Sequence, residues 1–201
     1  MAFIGMRHVV AAPLTAHTPG SEPTYGTGFR VGLAMRGNLT INRNKNPLYA
    51  DDILAEDDNG VTSMELELGV DDLSDDVEAN MGLVDKVEET TGTGQSAVTT
   101  YAYYDTDEPA KDIGLGYMRV RQKDNVRTYQ AIWIYKAKFS KETEESKTKE
   151  ESIEWQTPTV KGRCAGLKVR SNGKIDFRKK KNFDTEAAAE AWLDALAGIS
   201  A

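Results

Sequence analysis

The chain has 201 residues, a formal net charge of −7 and a hydrophobic fraction of 39%. This length fits one domain, with or without long arms, and is enough to bury a substantial core. No apolar run approaches the roughly 18 residues that a membrane helix needs, and the first residues lack the pattern of a signal peptide. We therefore expect an intracellular product with no membrane partner. The single cysteine, Cys164, excludes an intrachain disulfide.

Charge is distributed unevenly along the sequence. Between Asp51 and Glu89 acidic residues dominate and Lys86 is the only base, whereas residues 168–170 and 178–181 carry basic clusters. Lysine and arginine must neutralise phosphates when a protein grips nucleic acid, so the acidic segment argues against tight binding to duplex DNA. A solvated acidic face explains the same pattern equally well.

Residues 1–28 show little periodicity and contain many residues that interrupt regular structure, among them three prolines. They predict an extended N-terminal arm rather than a packed element. A single β domain is expected over residues 29–201. Within it, residues 47–60 are predicted to form a long polar loop that closes in the turn Asn59-Gly60.

Alternation of apolar and polar residues predicts a series of β-strands. It is cleanest over residues 61–70, and further strands are expected at residues 29–33, 35–45, 97–104, 114–123, 159–169 and 174–179. Two helices are also predicted. Ser74 and the acids after it favour a short helix from about Asp75 to Met81. Asp184 as a cap, followed by an apolar stripe, favours a C-terminal helix over residues 185–197.

The longest strand signal lies in residues 129–139, the first arm of a predicted hairpin whose second arm is residues 148–157. One side of the first arm carries Trp133 and Tyr135, and the other side mixes isoleucines with lysines. A partly charged second face suggests contact with a partner or a second layer. The expected fold is mainly β, a sandwich or barrel with one short helix and a C-terminal helix packed on the sheet.

The sequence offers little material for catalysis. His8 and His17 both lie in the predicted arm, where solvent exposure is the expected state, and Cys164 is expected to be a small strand residue. The sequence contains neither a G-x-S-x-G nor an H-E-x-x-H motif. We therefore predict no enzyme activity, no metal site and no cofactor.

Several segments resemble the major tail protein family, the tail tube proteins of long-tailed, non-contractile bacteriophages. The similar segments are residues 50–60, 66–73, 131–139, 151–158, 183–187 and 191–193. The resemblance extends over nearly the whole chain, although it contains no catalytic signature.

The resemblance implies a structural virion protein with a β-sandwich or barrel tail-tube fold. Such subunits form hexameric rings that stack into a hollow tail tube, through which the genome is ejected into the host. The implied partners are other copies of the chain, a tape measure protein and a tail terminator, with transient, non-specific passage of DNA. The implied location is the virion tail, after synthesis in the host cytoplasm. An acidic lumen would help DNA to pass, because attraction to phosphate would stall it.

Two sets of residues are candidates for contacts between subunits. The predicted loop sets apolar residues in a polar context, which often marks an interface. Its candidates for contacts within and between rings are Leu48, Tyr49, Asp51, Asp52, Ile53, Leu54 and Glu56. The candidates for lumen or intersubunit positions on the hairpin are Lys136, Lys138, Glu150 and Glu154.

A second interpretation remains open on the sequence. The chain could be a β-sandwich binding module of a phage, either a carbohydrate-binding or a capsid-decoration protein. Trp133, Tyr135 and Trp155 would then form an aromatic platform. Core packing explains the same alternation of Trp133 and Tyr135 along a strand.

Overall fold

The computed structural model describes residues 2–44, 46–50, 53–92, 98–142 and 157–200. These residues form thirteen strands and two helices. The elements are β1 (Ala2–Ala16), β2 (Thr24–Tyr25), β3 (Phe29–Gly32), β4 (Ala34–Arg43), β5 (Asn46–Ala50), β6 (Ile53–Asp58), β7 (Val61–Val70), α1 (Asp75–Met81), β8 (Asp85–Thr91), β9 (Val98–Tyr104), β10 (Ile113–Lys123), β11 (Val126–Ser140), β12 (Thr159–Cys164), β13 (Arg178–Phe183) and α2 (Glu186–Ala197). The predicted mainly β fold with a short helix and a C-terminal helix is confirmed.

Nine strands form one antiparallel sheet in the order β2-β1-β10-β11-β12-β7-β4, with β13 beside β11 and β3 beside β1. The long strand β11 has two partners on the same edge, because β12 pairs with its residues 137–140 and β13 with its residues 129–134. The other four strands form two separate hairpins, β5–β6 and β8–β9.

The prediction of an unpacked arm over residues 1–28 is wrong. Strand β1 runs beside β10 within the main sheet, and residues 9–12 of β1 are at most 2% exposed. The apolar residues face both sides of the sheet, so this part of β1 shows no alternation. A bulge after Arg7, where His8 adopts a positive φ of 53°, also shifts the phase of the pattern. The prolines and glycines lie mainly after the buried stretch.

The main sheet has a hydrophobic cluster on each face. The inner cluster contains Val9 of β1, Leu66 of β7, Ile132 of β11 and Val160 of β12. Strands from both ends of the sheet therefore share one core, and β1 also contacts β4 directly. The outer cluster places Trp133 of β11 against α2. The sheet thus curls around its inner core and carries α2 on its outside.

Both helices end and begin near the predicted residues. Helix α1 spans Asp75–Met81 as predicted and stops at Gly82, whose φ of 73° is readily adopted only by glycine. Helix α2 begins one residue later than expected, because Thr185 rather than Asp184 is the N-cap. The Thr185 hydroxyl accepts a hydrogen bond from the Ala188 amide at 3.4 Å. Ala189, Leu193 and Ala197 are buried, whereas Trp192 is only partly buried.

The predicted hairpin of residues 129–162 is confirmed in its first arm, since β11 covers residues 126–140. The second arm, residues 148–157, lies outside the described residues except for Thr157. The described antiparallel partner at this end of β11 is β12, with Ala137 opposite Cys164. Ile132 and Ile134 fill the inner cluster, while Trp133 and Tyr135 fill the outer one. Burial on both sides therefore explains the isoleucines of the second face of β11, whereas Lys136 on that face is half-buried and Lys138 is exposed.

The prediction of a loop at residues 47–60 is wrong, because this segment folds as the β5–β6 hairpin. Leu48 lies opposite Glu56, and Tyr49 lies opposite Leu54. Strand β8 was also missed. A hairpin that pairs only with itself is not required to bury an apolar face, so its sequence carries no alternation to detect.

Candidate assembly surfaces

The β8–β9 hairpin is separate from the main sheet and is exposed along nearly its whole length. All seven residues of β8 are exposed. Each strand of the hairpin pairs only with the other among the described residues. An isolated two-stranded hairpin is marginally stable in water, so its retention in a fold usually reflects support from other contacts.

One face of this hairpin is anchored to α1. The Tyr103 hydroxyl donates a hydrogen bond to Asp76 at 2.8 Å, and the Lys86 ammonium lies 2.6 Å from the same carboxylate. The two hydrogen bonds, that from Lys86 foremost, lower the pKa of Asp76. Lys86 also lies 4.0 Å from the ring centroid of Tyr101. These contacts hold one face of the hairpin against the short helix.

The other face of the β8–β9 hairpin is open and partly apolar. The register places Val87 opposite Ala102. Tyr104 lies two pairs away on the same face, and Val98 lies four pairs away in the other direction, beyond the Glu89–Thr100 pair. Val87 is 44%, Tyr104 48% and Val98 60% exposed. Apolar side chains grouped on an exposed strand pair mark a surface suited to contact with another protein.

The β5–β6 hairpin carries five of the residues predicted to make contacts between subunits. Leu48 and Tyr49 lie on β5, and Ile53, Leu54 and Glu56 lie on β6. Two further candidates, Asp51 and Asp52, lie outside the described residues. The base of the hairpin continues the β4–β7 pair, because the Asn44 amide donates a hydrogen bond to the Gly60 carbonyl at 2.8 Å. The structure therefore brings the described candidates together on one hairpin.

The two lysines predicted for the lumen or a subunit contact share one intrachain partner. The Lys136 ammonium lies 2.7 Å from one Asp112 carboxylate oxygen, and that of Lys138 lies 3.9 Å from the other. Half of the Lys138 side chain is exposed. The other two candidates of this set, Glu150 and Glu154, lie outside the described residues.

The aromatic platform proposed for a binding module does not exist at Trp133 and Tyr135. Both side chains are buried, and the Trp133 indole nitrogen donates a hydrogen bond to the Tyr25 hydroxyl at 3.1 Å. Tyr25 in turn donates to the Tyr135 carbonyl at 2.8 Å. The third member, Trp155, lies outside the described residues. The core interpretation of Trp133 and Tyr135 is therefore the correct one.

His8 is not exposed on an arm as predicted. Its side chain is 4% exposed, and its Nε2 atom lies 2.8 Å from an Asp194 carboxylate oxygen, while Nδ1 lies 3.6 Å from Glu190. These contacts join the bulge of β1 to the outer helix α2. Because the two carboxylates meet different ring nitrogens, the group is arranged as a structural link and not as a chelating set.

Cys164 is poorly suited to nucleophilic chemistry. The residue is 1% exposed, and burial raises the pKa of its thiol to about 12. The thiolate is the reactive form, so almost none is present at neutral pH. Within the part of the chain that the structure describes, no three His, Cys, Asp or Glu side chains are placed to hold a metal ion.

No model of a protein family matches this chain. No curated protein shows significant similarity to it. Neither of the two described helices is long and apolar enough to cross a membrane.

Proposed function

We propose that the chain is the structural subunit of a bacteriophage tail tube. Copies would assemble into hexameric rings, and stacked rings would form the channel for genome delivery. The tail of the virion is the proposed location, after synthesis in the host cytoplasm. A tape measure protein and a tail terminator are the further proposed partners. The resemblance of the sequence segments to major tail proteins supports the identity of the assembly.

The observation that carries a self-assembling role is the open face of the β8–β9 hairpin. This face exposes the apolar side chains of Val87, Val98 and Tyr104 to solvent. The outer edges of the two strands are unpaired among the described residues. Exposed apolar strand pairs are a liability in an isolated molecule, because they template association. Burial against neighbouring subunits turns that liability into the driving force for assembly.

The outer edge of the main sheet offers a second surface of the same kind. Among the described residues β4 pairs only with β7, so its other edge is hydrogen-bonded to no strand, although β1 contacts β4. Leu33 and Met35, at the start of this edge, are 73% and 60% exposed. A ring of subunits can cover such edges without an additional protein.

Negative-stain electron microscopy of the purified protein tests the proposal directly. We expect hollow tubes built from stacked rings at high protein concentration. Small particles of uniform size, at a concentration where the protein remains folded, would contradict the proposed function.

A matched pair of variants tests whether the hairpin face drives assembly. Val87→Asp places a charge on the open face, whereas Val126→Asp places the same charge at another exposed valine, in the β10–β11 turn region. We expect V87D to remain folded by circular dichroism and to form no tubes, because a buried unpaired carboxylate is costly. V126D should assemble like the wild type. If the two variants assemble equally well, the open face of the β8–β9 hairpin does not drive assembly.

A further inference from the structure

Four basic side chains lie close together on one face of the main sheet. Arg119 and Arg121 belong to β10, and Arg178 and Lys180 belong to β13. The register aligns Arg119 with Gln130 and Asn182, and aligns Tyr117 with Ile132 and Lys180, so all four bases share the inner face. We call these four residues the basic face.

The basic face has no carboxylate partner among the described residues. None of its four members takes part in any ion pair of the described structure. Arg119 instead donates to the Gln130 side-chain oxygen at 2.9 Å, and its Nε atom is buried without a described hydrogen-bond partner. Burial first, and then the charges of Arg178, Arg119 and Arg121, lower the pKa of Lys180. Uncompensated like charges are therefore held side by side.

Contacts within the chain hold the Arg119 and Arg121 side chains in place. The Phe3 ring of β1 lies 4.0 Å from the Arg119 guanidinium and 4.8 Å from that of Arg121. Gln130, which holds Arg119, also donates to the Asn182 side chain at 3.1 Å. The two arginines are thus positioned before any partner arrives.

Acidic residues precede the same strand. Asp105, Asp107 and Glu108 lie between β9 and β10 and are exposed. Lys111 lies between these acids and β10, and its ammonium donates to the Ala79 carbonyl of α1 at 3.0 Å. We call the three acids the acidic end.

The bases near the acidic end have other partners within the chain and do not neutralise its charge. Of the nearby bases, Lys111 donates to a backbone carbonyl and Lys141 pairs with Glu78 at 2.7 Å. By register the basic face extends along β10 from the level of Leu115, which aligns with Arg178, to Arg121. No ion pair of the described structure joins a member of the basic face to the acidic end.

We propose that the basic face of one copy docks on the acidic end of the next copy. The inference rests on the proposed function, since it names a contact by which subunits would associate. Each copy carries both halves on different surfaces, so the contact is heterologous and can propagate into closed rings or stacked arrays. A net charge of −7 disfavours a nucleic acid as the occupant, whereas the acidic end supplies matching charge on the same chain.

Charge reversal on each surface tests the contact. R121E/K180E cancels the net charge of the basic face, and D105K/E108K reverses the net charge of the acidic end. We expect each variant alone to remain folded and to need at least about tenfold more protein to assemble, because the attraction between the two surfaces is then lost or replaced by repulsion. An equimolar mixture of the two variants should assemble again, with alternating copies. A control, K168E/K174E, makes the same charge change at exposed lysines off the basic face and should assemble like the wild type.

The outcomes separate this inference from the proposed function. If the wild type forms tubes and the charge-reversed variants also form them at the same concentration, the docking contact is overturned and the tail-tube proposal stands. If the wild type forms no tubes, the proposed function falls. Sedimentation velocity then decides the contact, because the two variants must bind each other in a mixture and not themselves. Binding of a labelled DNA duplex that R121E/K180E abolishes without affecting assembly would also overturn it.

Discussion

Gly116 makes room for the largest side chain of the outer core. It lies opposite Trp133 in the β10–β11 pair, and a Cβ atom there would be 2.7 Å from the Trp133 ring and 2.9 Å from Leu193. We expect Gly116→Ala to lower the free energy of unfolding by about 1–3 kcal/mol, because neither neighbour can move without disturbing the packing of α2.

Gly5→Ala is the control for this substitution, since a Cβ atom at Gly5 would meet nothing within 4 Å. Urea denaturation of the two variants, followed by circular dichroism, measures the difference. Similar urea midpoints of unfolding for the two variants would show that the outer core can accommodate a methyl group at Gly116 without loss of stability.

At the residue scale, the sequence predicts burial better than it predicts partners. The alternation of Trp133 and Tyr135 indicates core packing, and that inference is confirmed. The partner of the Trp133 indole, Tyr25, is 108 residues away along the chain, and periodicity carries no information on such a pair. His8 was placed in solvent for the same reason, because Asp194 is 186 residues away from it.

At the element scale, the β5–β6 hairpin is separable from the fold that carries it. Strands β4 and β7 remain paired up to Arg43 and Val61, and the Asn44–Gly60 hydrogen bond closes the pair behind the hairpin. Deleting residues 46–58 would join Lys45 to Asn59 in a short turn. We expect the free energy of unfolding to change by less than about 1 kcal/mol, since shortening a loop has a small entropic effect.

The same deletion should abolish tube formation if the hairpin makes the contacts expected of Leu48, Tyr49 and their neighbours. Thermal denaturation checks the fold and electron microscopy checks the assembly. Tubes at the wild-type yield would show that the hairpin is dispensable, whereas a large loss of stability would show that it supports the main sheet.

Elements defined by local chemistry could be predicted, and elements defined by distant pairing could not. Helix α1 follows from its acidic first turn and from Gly82, all within a few residues. Strand β1 is held by β10, more than a hundred residues later, and is buried on both faces, so its own sequence resembles an irregular arm. Strand β8 has no buried face and gives no periodic signal.

At the scale of the whole molecule, composition and strand patterns were enough to predict a mainly β chain with a helix on its sheet. The grouping of the basic side chains on one face was not predictable. Arg121 and Lys180 are 59 positions apart in the sequence, and only the register of β10, β11 and β13 places them on one face. The proposed heterologous contact is therefore a property of the topology.

Alkaline pH should destabilise the fold because its buried cysteine thiol and tyrosine hydroxyls resist losing their protons. Burial raises the pKa of Cys164 to about 12. Burial is also the main reason that the pKa of Tyr135 is raised to about 12 and that the pKa of Tyr25 is raised even more. The unfolded chain loses these protons at about pH 8.5 for cysteine and about 10 for tyrosine. Above each of these values the folded state binds more protons than the unfolded state, so the free energy of unfolding falls as pH rises.

Cys164 should set the start of this decline, at about 1.4 kcal/mol per pH unit while only the unfolded thiol is ionised. Cys164→Ala should therefore move the onset from about pH 8.5 to about pH 10, where the tyrosines begin to contribute. Urea denaturation from pH 7 to pH 11 measures the slope, which is independent of any constant loss of packing in the variant. An unchanged onset in C164A would mean that the thiol ionises as readily in the folded chain as in the unfolded one, so that its burial in the inner core is not maintained in solution.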